Sequence, residues 1–274
     1  MPEMPEVETI RRTLADKLMG RKITRVEIGL SRLIKWPTVP EFQAMITDRT
    51  IVKLDRRGKY LLIHLDNNFV LVIHLRMTGR LYYVTPGTPY DKFTHIVFNF
   101  GNGDGLLYAD ARTLGTLYLL PEDELWRIAG LAAMGPEPLS DEFTLEYFTA
   151  MLSKRRAKIK SVLLNQQLIG GLGNIYVDEA LAIAGINPER IASTISETEV
   201  KYLYQAVNQV IADGIAHGGT TFRDYRDGTG QSGSHQHHLH VYGRANQPCR
   251  RCGAIIARKE VAGRGTHYCP NCQK

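Results

Sequence analysis

The first residues after the initiator methionine combine an amine and a carboxylate. Removal of Met1, which a following proline normally permits, would expose Pro2 as a free secondary amine beside Glu3. A free α-amine has a pKa of about 7.7–8.0, far below that of lysine, and can act as a nucleophile near neutral pH. Its attack on a sugar C1′ would form an iminium, and Glu3 could transfer protons. Taken alone, the dipeptide is better explained as an ordinary N-terminal proline.

All four cysteines lie near the C-terminus in two Cys-x-x-Cys pairs. Cys249 and Cys252 form the first pair, and Cys269 and Cys272 follow after 16 residues. Each pair bends the backbone so that both sulfurs face one metal, and two pairs at this separation are typical of a tetrahedral zinc site. Four protein ligands leave no position for substrate water. The spacing therefore predicts one structural Zn²⁺ ion.

Three other side chains are candidates for binding a phosphate group. Asn174 follows a glycine-rich turn and begins a predicted helix, whose first amides and positive dipole end favour anions. Arg264 lies between two glycines on a predicted hairpin tip, where a guanidinium can reach phosphate oxygens bidentately. His74 lies at a predicted strand end. The alternative interpretations are that Asn174 only caps its helix, that Arg264 is a solvent-exposed turn residue, and that His74 is packed in the core.

The charge distribution favours nucleic acid as a partner. The chain has 274 residues, of which 34 are basic and 28 acidic, and its net charge is +6. Residues 244–274 contain seven Lys and Arg and one acidic residue, so the excess of positive charge lies in this tail. The alternative is that these basic residues are merely exposed to solvent and bind no partner. No segment reaches the roughly 20 apolar residues of a membrane span, and no signal peptide is recognisable. We therefore expect a cytoplasmic protein.

Two kinds of secondary structure are predicted around these residues. Apolar residues repeat on one face of a helix over 5–18, and short apolar segments then predict a β-sandwich. After the proline-rich segment 135–138 the pattern becomes helical, with a capping box at Ser196 and Glu199. The predicted strands are 22–28, 60–65, 69–75, 95–100 and 116–120, and the predicted later helices are 141–152, 156–168, 173–184 and 197–216.

The N-terminal string Pro2-Glu3-Met4-Pro5-Glu6-Val7-Glu8-Thr9 resembles the opening of formamidopyrimidine-DNA glycosylases, which usually have Leu at position 4. The resemblance covers essentially the whole chain, because several further motifs follow in the family's order. These motifs are Arg56-Arg57-Gly58-Lys59-Tyr60-Leu61, His74-Leu75-Arg76-Met77-Thr78-Gly79-Arg80, Gly173-Asn174-Ile175-Tyr176-Val177-Asp178-Glu179, Gln236-His237-His238, Val241-Tyr242-Gly243-Arg244 and Val261-Ala262-Gly263-Arg264-Gly265-Thr266-His267-Tyr268-Cys269-Pro270.

This resemblance implies a base-excision repair enzyme that acts on damaged duplex DNA as a monomer, with zinc as its only cofactor. Its substrates would be 8-oxoguanine and formamidopyrimidines, removed by N-glycosylase action and followed by β,δ-elimination of the abasic site. Pro2 would be the nucleophile and Glu3 the general acid/base. Lys59 would contact phosphate close to the lesion and assist the reaction. Asn174 and Arg264 would clamp the phosphates that flank the lesion.

The family also implies how the duplex is opened. An enzyme that acts on a base within a duplex must extrude it, and Met77 would fill the gap as a wedge, although a methionine after a strand is otherwise a core residue. Arg112 would face the orphaned base. Leu114 stands where the family usually has Phe, and Thr113 where Arg or Lys is common. These departures concern lesion search and opposite-base recognition, not the chemistry.

The fold implied is α+β, in three parts. Residues 1–134 would form an N-terminal catalytic β-sandwich with flanking helices. Residues 135–236 would contain a linker, a helix–two-turns–helix domain and a mobile loop at 222–236 that covers the lesion, and residues 237–274 a four-cysteine zinc finger.

Three other functions fit the sequence less well. Endonuclease VIII, of the same superfamily, prefers oxidised pyrimidines and usually has Gly at position 4. The long 222–236 loop also favours the purine-specific enzyme, in which it covers the flipped base. A damage-recognition module without chemistry would not need Pro2, Glu3 and Lys59 together. A zinc-ribbon protein that binds RNA would leave the N-terminal string unexplained.

Overall fold

The computed structural model describes residues 2–274 and divides them into two compact units. The first unit comprises the residues up to Ala132 together with His217–Gln236, and the second comprises Ala133–Ala216 with His237–Lys274. The sequence prediction assigned residues 217–236 to the helical domain. In the structure they belong to the first unit, because they form hydrogen bonds with its residues. Within the described part of the chain, no helix is long and apolar enough to cross a membrane.

The first unit is a β-sandwich with flanking helices. One sheet has the antiparallel order β1-β7-β8-β6, and the other has the order β2-β9-β5-β4-β3, in which β2 runs parallel to β9. Both sheets contribute to one hydrophobic core. Its elements are α1 (Met4–Leu18), β1 (Ile23–Ile28), β2 (Ile34–Trp36), α2 (Val39–Ile46), β3 (Ile51–Arg57), β4 (Tyr60–Leu65), β5 (Phe69–His74), β6 (Gly79–Val84), β7 (Thr94–Phe100), β8 (Gly105–Asp110), β9 (Thr116–Pro121) and α3 (Ala129–Ala132).

The strands recognised from sequence are mainly the most apolar ones. β4 is buried along its whole length, as is β5 after Phe69, which explains their nearly continuous apolar sequences. β2, β3, β6 and β8 are not among the strands predicted from the sequence. β3 is an edge strand with two of its seven residues buried, and its polar residues obscure the pattern.

The second unit is helical and ends in a β-hairpin. Helix α6 lies at its centre, because every residue from Ile175 to Ala182 is buried. Helix α5 is shorter than the predicted 156–168, and the capping box at Ser196 is present, with its backbone N–H donating to Glu199 Oε2 at 2.9 Å. The elements are α4 (Leu145–Ser153), α5 (Ile159–Leu164), α6 (Asn174–Ala184), α7 (Glu197–Ala216), β10 (Ala257–Val261) and β11 (Arg264–Tyr268).

Candidate active site and DNA-binding residues

The N-terminal residues are held rigidly at the start of α1. Pro2 is buried, and Glu3 is 2% exposed and forms the N-cap of the helix. The backbone N–H of Glu3 donates to Glu6 Oε2 at 2.8 Å, which completes a reciprocal capping box. The amine of residue 2 would therefore be presented from an ordered helix end, directly beside a buried carboxylate.

Glu6 also anchors the base of the loop that the sequence predicted over 222–236. Its Oε1 accepts the backbone N–H of Thr220 at 2.7 Å. Gly219 has a φ of +82°, and a Cβ added there would lie 2.9 Å from Glu6 Cγ, so this close approach requires glycine. Sequence reasoning missed this role of Glu6, although the Glu3-x-x-Glu6 spacing of a capping box was visible.

Lys59 and His74 belong to one basic cluster. Lys59 is 8% exposed in the turn between β3 and β4, and His74 is 7% exposed at the end of β5. Burial, followed by the charges of Arg76 and Lys59, lowers the pKa of His74 to about 3, so the ring is neutral at physiological pH. Its Nδ1 accepts the backbone N–H of Arg76 at 3.0 Å. The ring proton therefore lies on Nε2, which can donate to a phosphate oxygen.

Asp110 holds together the two segments predicted to enter DNA. Its Oδ1 accepts Thr78 Oγ1 at 2.5 Å, and its Oδ2 accepts the backbone N–H of Gly115 at 2.9 Å. The backbone N–H of Arg112 also donates to Thr78 Oγ1, at 3.1 Å. One fully buried carboxylate thus fixes the turn after β5 against the 110–115 loop. The sequence did not single out Asp110.

The three side chains predicted to enter the duplex project from these segments. Met77 is 40% exposed and Leu114 is 48% exposed, so neither is a core residue. Arg112 is exposed as well. Two apolar side chains and one cation on adjacent, buttressed turns are suited to filling a gap in stacked bases and contacting an unpaired one.

In the second unit, Asn174 is hydrogen-bonded to the β-hairpin that carries Arg264. Asn174 is the first residue of α6, and its Nδ2 donates to the backbone oxygen of Gly265 at 2.9 Å. Arg264 begins β11 next to a tight turn and is exposed. Helix α6 therefore presents its N-terminal amides beside an exposed guanidinium, which is a suitable site for phosphate.

A buried ion pair holds the Arg264 hairpin in this position. Lys160 Nζ lies 2.6 Å from Asp178 Oδ1, and both side chains are fully buried. Lys160 also donates to Thr266 Oγ1 at 2.7 Å, and Asp178 Oδ2 accepts the backbone N–H of His267 at 2.8 Å. The sequence contained no signal for this contact, because Lys160 and Thr266 are 106 positions apart.

The adjacent residue of α6 fixes the chain that leads into the zinc finger. Glu179 is 2% exposed, and its carboxylate accepts three consecutive backbone N–H groups. These belong to His240 at 2.6 Å, Val241 at 2.9 Å and Tyr242 at 2.8 Å. Asp178 and Glu179 together attach the zinc-finger segment to α6 from two sides.

The four cysteine sulfurs form a compact group. All lie within 4.8 Å of one another, with Cys249 and Cys272 at 4.0 Å and Cys252 and Cys269 at 3.5 Å. Tetrahedral Zn²⁺ with Zn–S bonds of about 2.3 Å separates its sulfurs by about 3.8 Å. The four thiolates therefore fit one structural Zn²⁺ ion, as the spacing predicted.

The chain combines a β-sandwich that begins with a buried Pro-Glu, a helical domain and a four-cysteine zinc finger. This combination defines the class as zinc-finger enzymes that act on DNA. Family models match all three parts: the formamidopyrimidine-DNA glycosylase N-terminal domain over residues 1–117, the H2TH domain of the same enzymes over 134–226, and the zinc finger found in FPG and IleRS over 246–274. The chain belongs to the formamidopyrimidine-DNA glycosylase family.

Full-length relatives and solved structures agree with this assignment. The formamidopyrimidine-DNA glycosylases of Pelotomaculum thermopropionicum and Desulforamulus reducens are each 50% identical and cover 100% of this chain and 99% of their own length. Lactococcus lactis Fpg in complex with DNA containing an abasic site is 38% identical, with a TM-score of 0.94 and 100% coverage of both chains. A mutant of that enzyme bound to DNA containing Fapy-dG has the same TM-score and coverage.

Proposed function

We propose that the Pro2 amine carries out both reactions of this enzyme, a bifunctional DNA glycosylase and AP lyase that acts on oxidised purines in duplex DNA. The observation that carries the proposal is the capping box of α1, which holds Glu3 buried beside residue 2 through the 2.8 Å hydrogen bond to Glu6. A nucleophile and a proton-transfer group are thereby kept in one ordered geometry.

In the first reaction, the Pro2 nitrogen attacks C1′ and the glycosidic bond breaks, so the base departs with the bonding electrons and takes up a proton. Opening of the sugar gives an iminium between Pro2 and C1′. In the second reaction, this electron sink permits loss of the 3′ phosphate by β-elimination and of the 5′ phosphate by δ-elimination. Glu3 transfers protons in these steps.

The DNA contacts are divided between charged and wedge residues. Lys59, the Nε2–H of His74, Asn174 and Arg264 bind phosphates near the lesion, and Arg264 also assists catalysis by holding a phosphate next to it. Met77 and Leu114 fill the space of the extruded base, and Arg112 contacts its former partner. Support comes from the exposure of these three side chains and from the hydrogen bonds to Asp110 that fix the two segments carrying them.

The substrate class is proposed to include formamidopyrimidines and 8-oxoguanine, since the similar Lactococcus lactis enzyme binds Fapy-dG and abasic DNA. Residues 1–134 are proposed as the catalytic sandwich, to which the lesion-covering loop of 222–236 is attached. Residues 135–216 are proposed as the linker and helix–two-turns–helix domain, and residues 237–274 as the zinc finger. A cytoplasmic monomer is consistent with a substrate in chromosomal DNA and with four cysteines that form a metal site.

Borohydride trapping tests the nucleophile. Incubation with a duplex that bears one 8-oxoguanine, followed by reduction, should join enzyme to DNA through residue 2, identified by peptide mapping. Extra residues ahead of Pro2 would convert the amine to an amide and should abolish base excision and strand cleavage together. Pro2→Gly keeps a primary amine and should retain reduced activity. An adduct at Lys59, or normal activity with a blocked Pro2, would contradict the proposal.

A further inference from the structure

Arg32 lies next to the loop that carries Arg112 and Leu114. It belongs to a short 3-10 turn over Ser31–Leu33 that leads into β2. One guanidinium nitrogen of Arg32 donates to the hydroxyl of Thr113, the residue between Arg112 and Leu114. A DNA strand that meets Arg112 and Leu114 must therefore pass close to Arg32.

The sheet topology maintains this position. β2 pairs in parallel with β9, with Ile34 opposite Leu117, so the residues before β2 lie beside the residues before β9. Ile34 is buried whereas Arg32 and Lys35 are exposed. The apolar side chain anchors the segment in the core, and the two cations remain at the surface beside the 110–115 loop.

The charges of this segment are not neutralised by the protein. Within residues 2–274, Arg32, Lys35 and Arg112 have no carboxylate within ion-pair distance. Several cations elsewhere in the same unit do lie beside carboxylates, in the pairs Lys22–Asp48 at 2.8 Å, Lys53–Asp55 at 2.6 Å and Arg80–Asp91 at 2.5 Å. Unpaired cations next to exposed Leu114 are the arrangement expected for a polyanionic partner.

We propose that Arg32 and Lys35 form an additional binding site for the phosphodiester backbone of the undamaged DNA strand, adjacent to the orphaned base. This inference rests on the proposed function, in which Arg112 and Leu114 enter the duplex. The guanidinium of Arg32 uses one N–H to hold Thr113 and directs others to a phosphate, so the same side chain orders the loop and binds DNA.

Binding of the zinc-loaded, full-length protein to a duplex with a tetrahydrofuran abasic analogue opposite cytosine tests the site. Arg32→Ala should weaken binding roughly three- to tenfold near physiological salt, and the slope of log K against log salt should fall in magnitude by about one. Arg32→Lys should recover most of the affinity, and Arg32→Ala with Lys35→Ala should lower the slope further. Arg25→Ala is the matched control, because Arg25 is an exposed arginine of the other sheet beside Glu27.

Strand assignment is tested with neutral methylphosphonates near the orphaned base. Placed in the undamaged strand, they should abolish the difference between wild type and Arg32→Ala; placed in the damaged strand, they should leave it. The site is refuted if Arg32→Ala matches Arg25→Ala, or if it alters discrimination between opposite bases without changing the salt slope. Borohydride trapping of the wild type on 8-oxoguanine DNA is measured in parallel, so a failure of the proposed chemistry is recognised separately from a failure of this site.

Discussion

The buried pair of Lys160 and Asp178 provides a sharp test of how the Arg264 hairpin is positioned. The two charged atoms are 2.6 Å apart, and both side chains have no solvent exposure. Lys160→Met keeps the apolar stem but leaves the Asp178 carboxylate buried without its cation. Loss of one partner of a buried pair costs about 3–5 kcal/mol. At roughly 4 °C per kcal/mol for a unit of this size, the transition of the second unit should fall by about 10–20 °C.

The double variant Lys160→Met with Asp178→Leu should be less destabilised than Lys160→Met alone. It contains no uncompensated buried charge. Its remaining defect is the backbone N–H of His267, which loses the acceptor that Asp178 Oδ2 supplies at 2.8 Å. An unsatisfied buried donor costs about 1–3 kcal/mol. The double variant is therefore expected to recover about 2 kcal/mol.

Two signals separate the units in this experiment. Both tryptophans, Trp36 and Trp126, belong to the first unit, so their fluorescence reports its unfolding. Release of zinc to a chromogenic chelator reports the second unit. Lys160→Met should lower the temperature of zinc release and weaken DNA binding without moving the tryptophan transition. A shift equivalent to less than 1 kcal/mol, or a double variant less stable than the single one, would show that the buried pair does not hold the hairpin in place.

Three further predictions concern zinc, the wedge and acid stability. Strong chelation, or Cys269→Ser, should abolish DNA binding while tryptophan fluorescence still reports a folded sandwich, because zinc binding and local folding are coupled; full affinity in a verified metal-free sample would contradict this. Leu114→Phe should improve duplex affinity, since a ring stacks on bases for about 1–3 kcal/mol; a tenfold change in the single-turnover rate on bound substrate would assign Leu114 another role. Burial opposes ionisation of Glu8, yet hydrogen bonds and charges from three arginines lower its pKa from 4.5 to about 2. This stabilisation is complete above about pH 4.5 and is lost as pH falls towards 2. Glu8→Gln should cost about 1–2 kcal/mol at pH 7, after allowance for solvent screening, and nearly nothing at pH 2; equal costs in urea unfolding at both pH values would contradict the assignment.

The features that can be predicted from the sequence are local in the chain. The two Cys-x-x-Cys pairs specify their metal geometry, because each pair places two sulfurs within one turn of backbone. The apolar face of α1 follows from residues three and four positions apart, and Val7, Ile10, Leu14 and Leu18 are indeed fully buried. The N-terminal string and the motifs that follow it were sufficient to identify the family, because several short patterns occur in one order.

The residues that act together across long distances in the chain are identified only in the folded structure. Asp110 receives the hydroxyl of Thr78, 32 positions away, and Lys160 binds Thr266, 106 positions away. The base of the 217–236 segment attaches to Glu6, 214 positions from Thr220, so this segment belongs to the first unit. None of these contacts leaves a periodic or compositional signal, since each joins polar side chains whose partners are brought near only when strands and helices pack. Functional groups that are adjacent in the chain can be predicted from the sequence. Their positions in the site depend on buried polar contacts that form only in the folded chain.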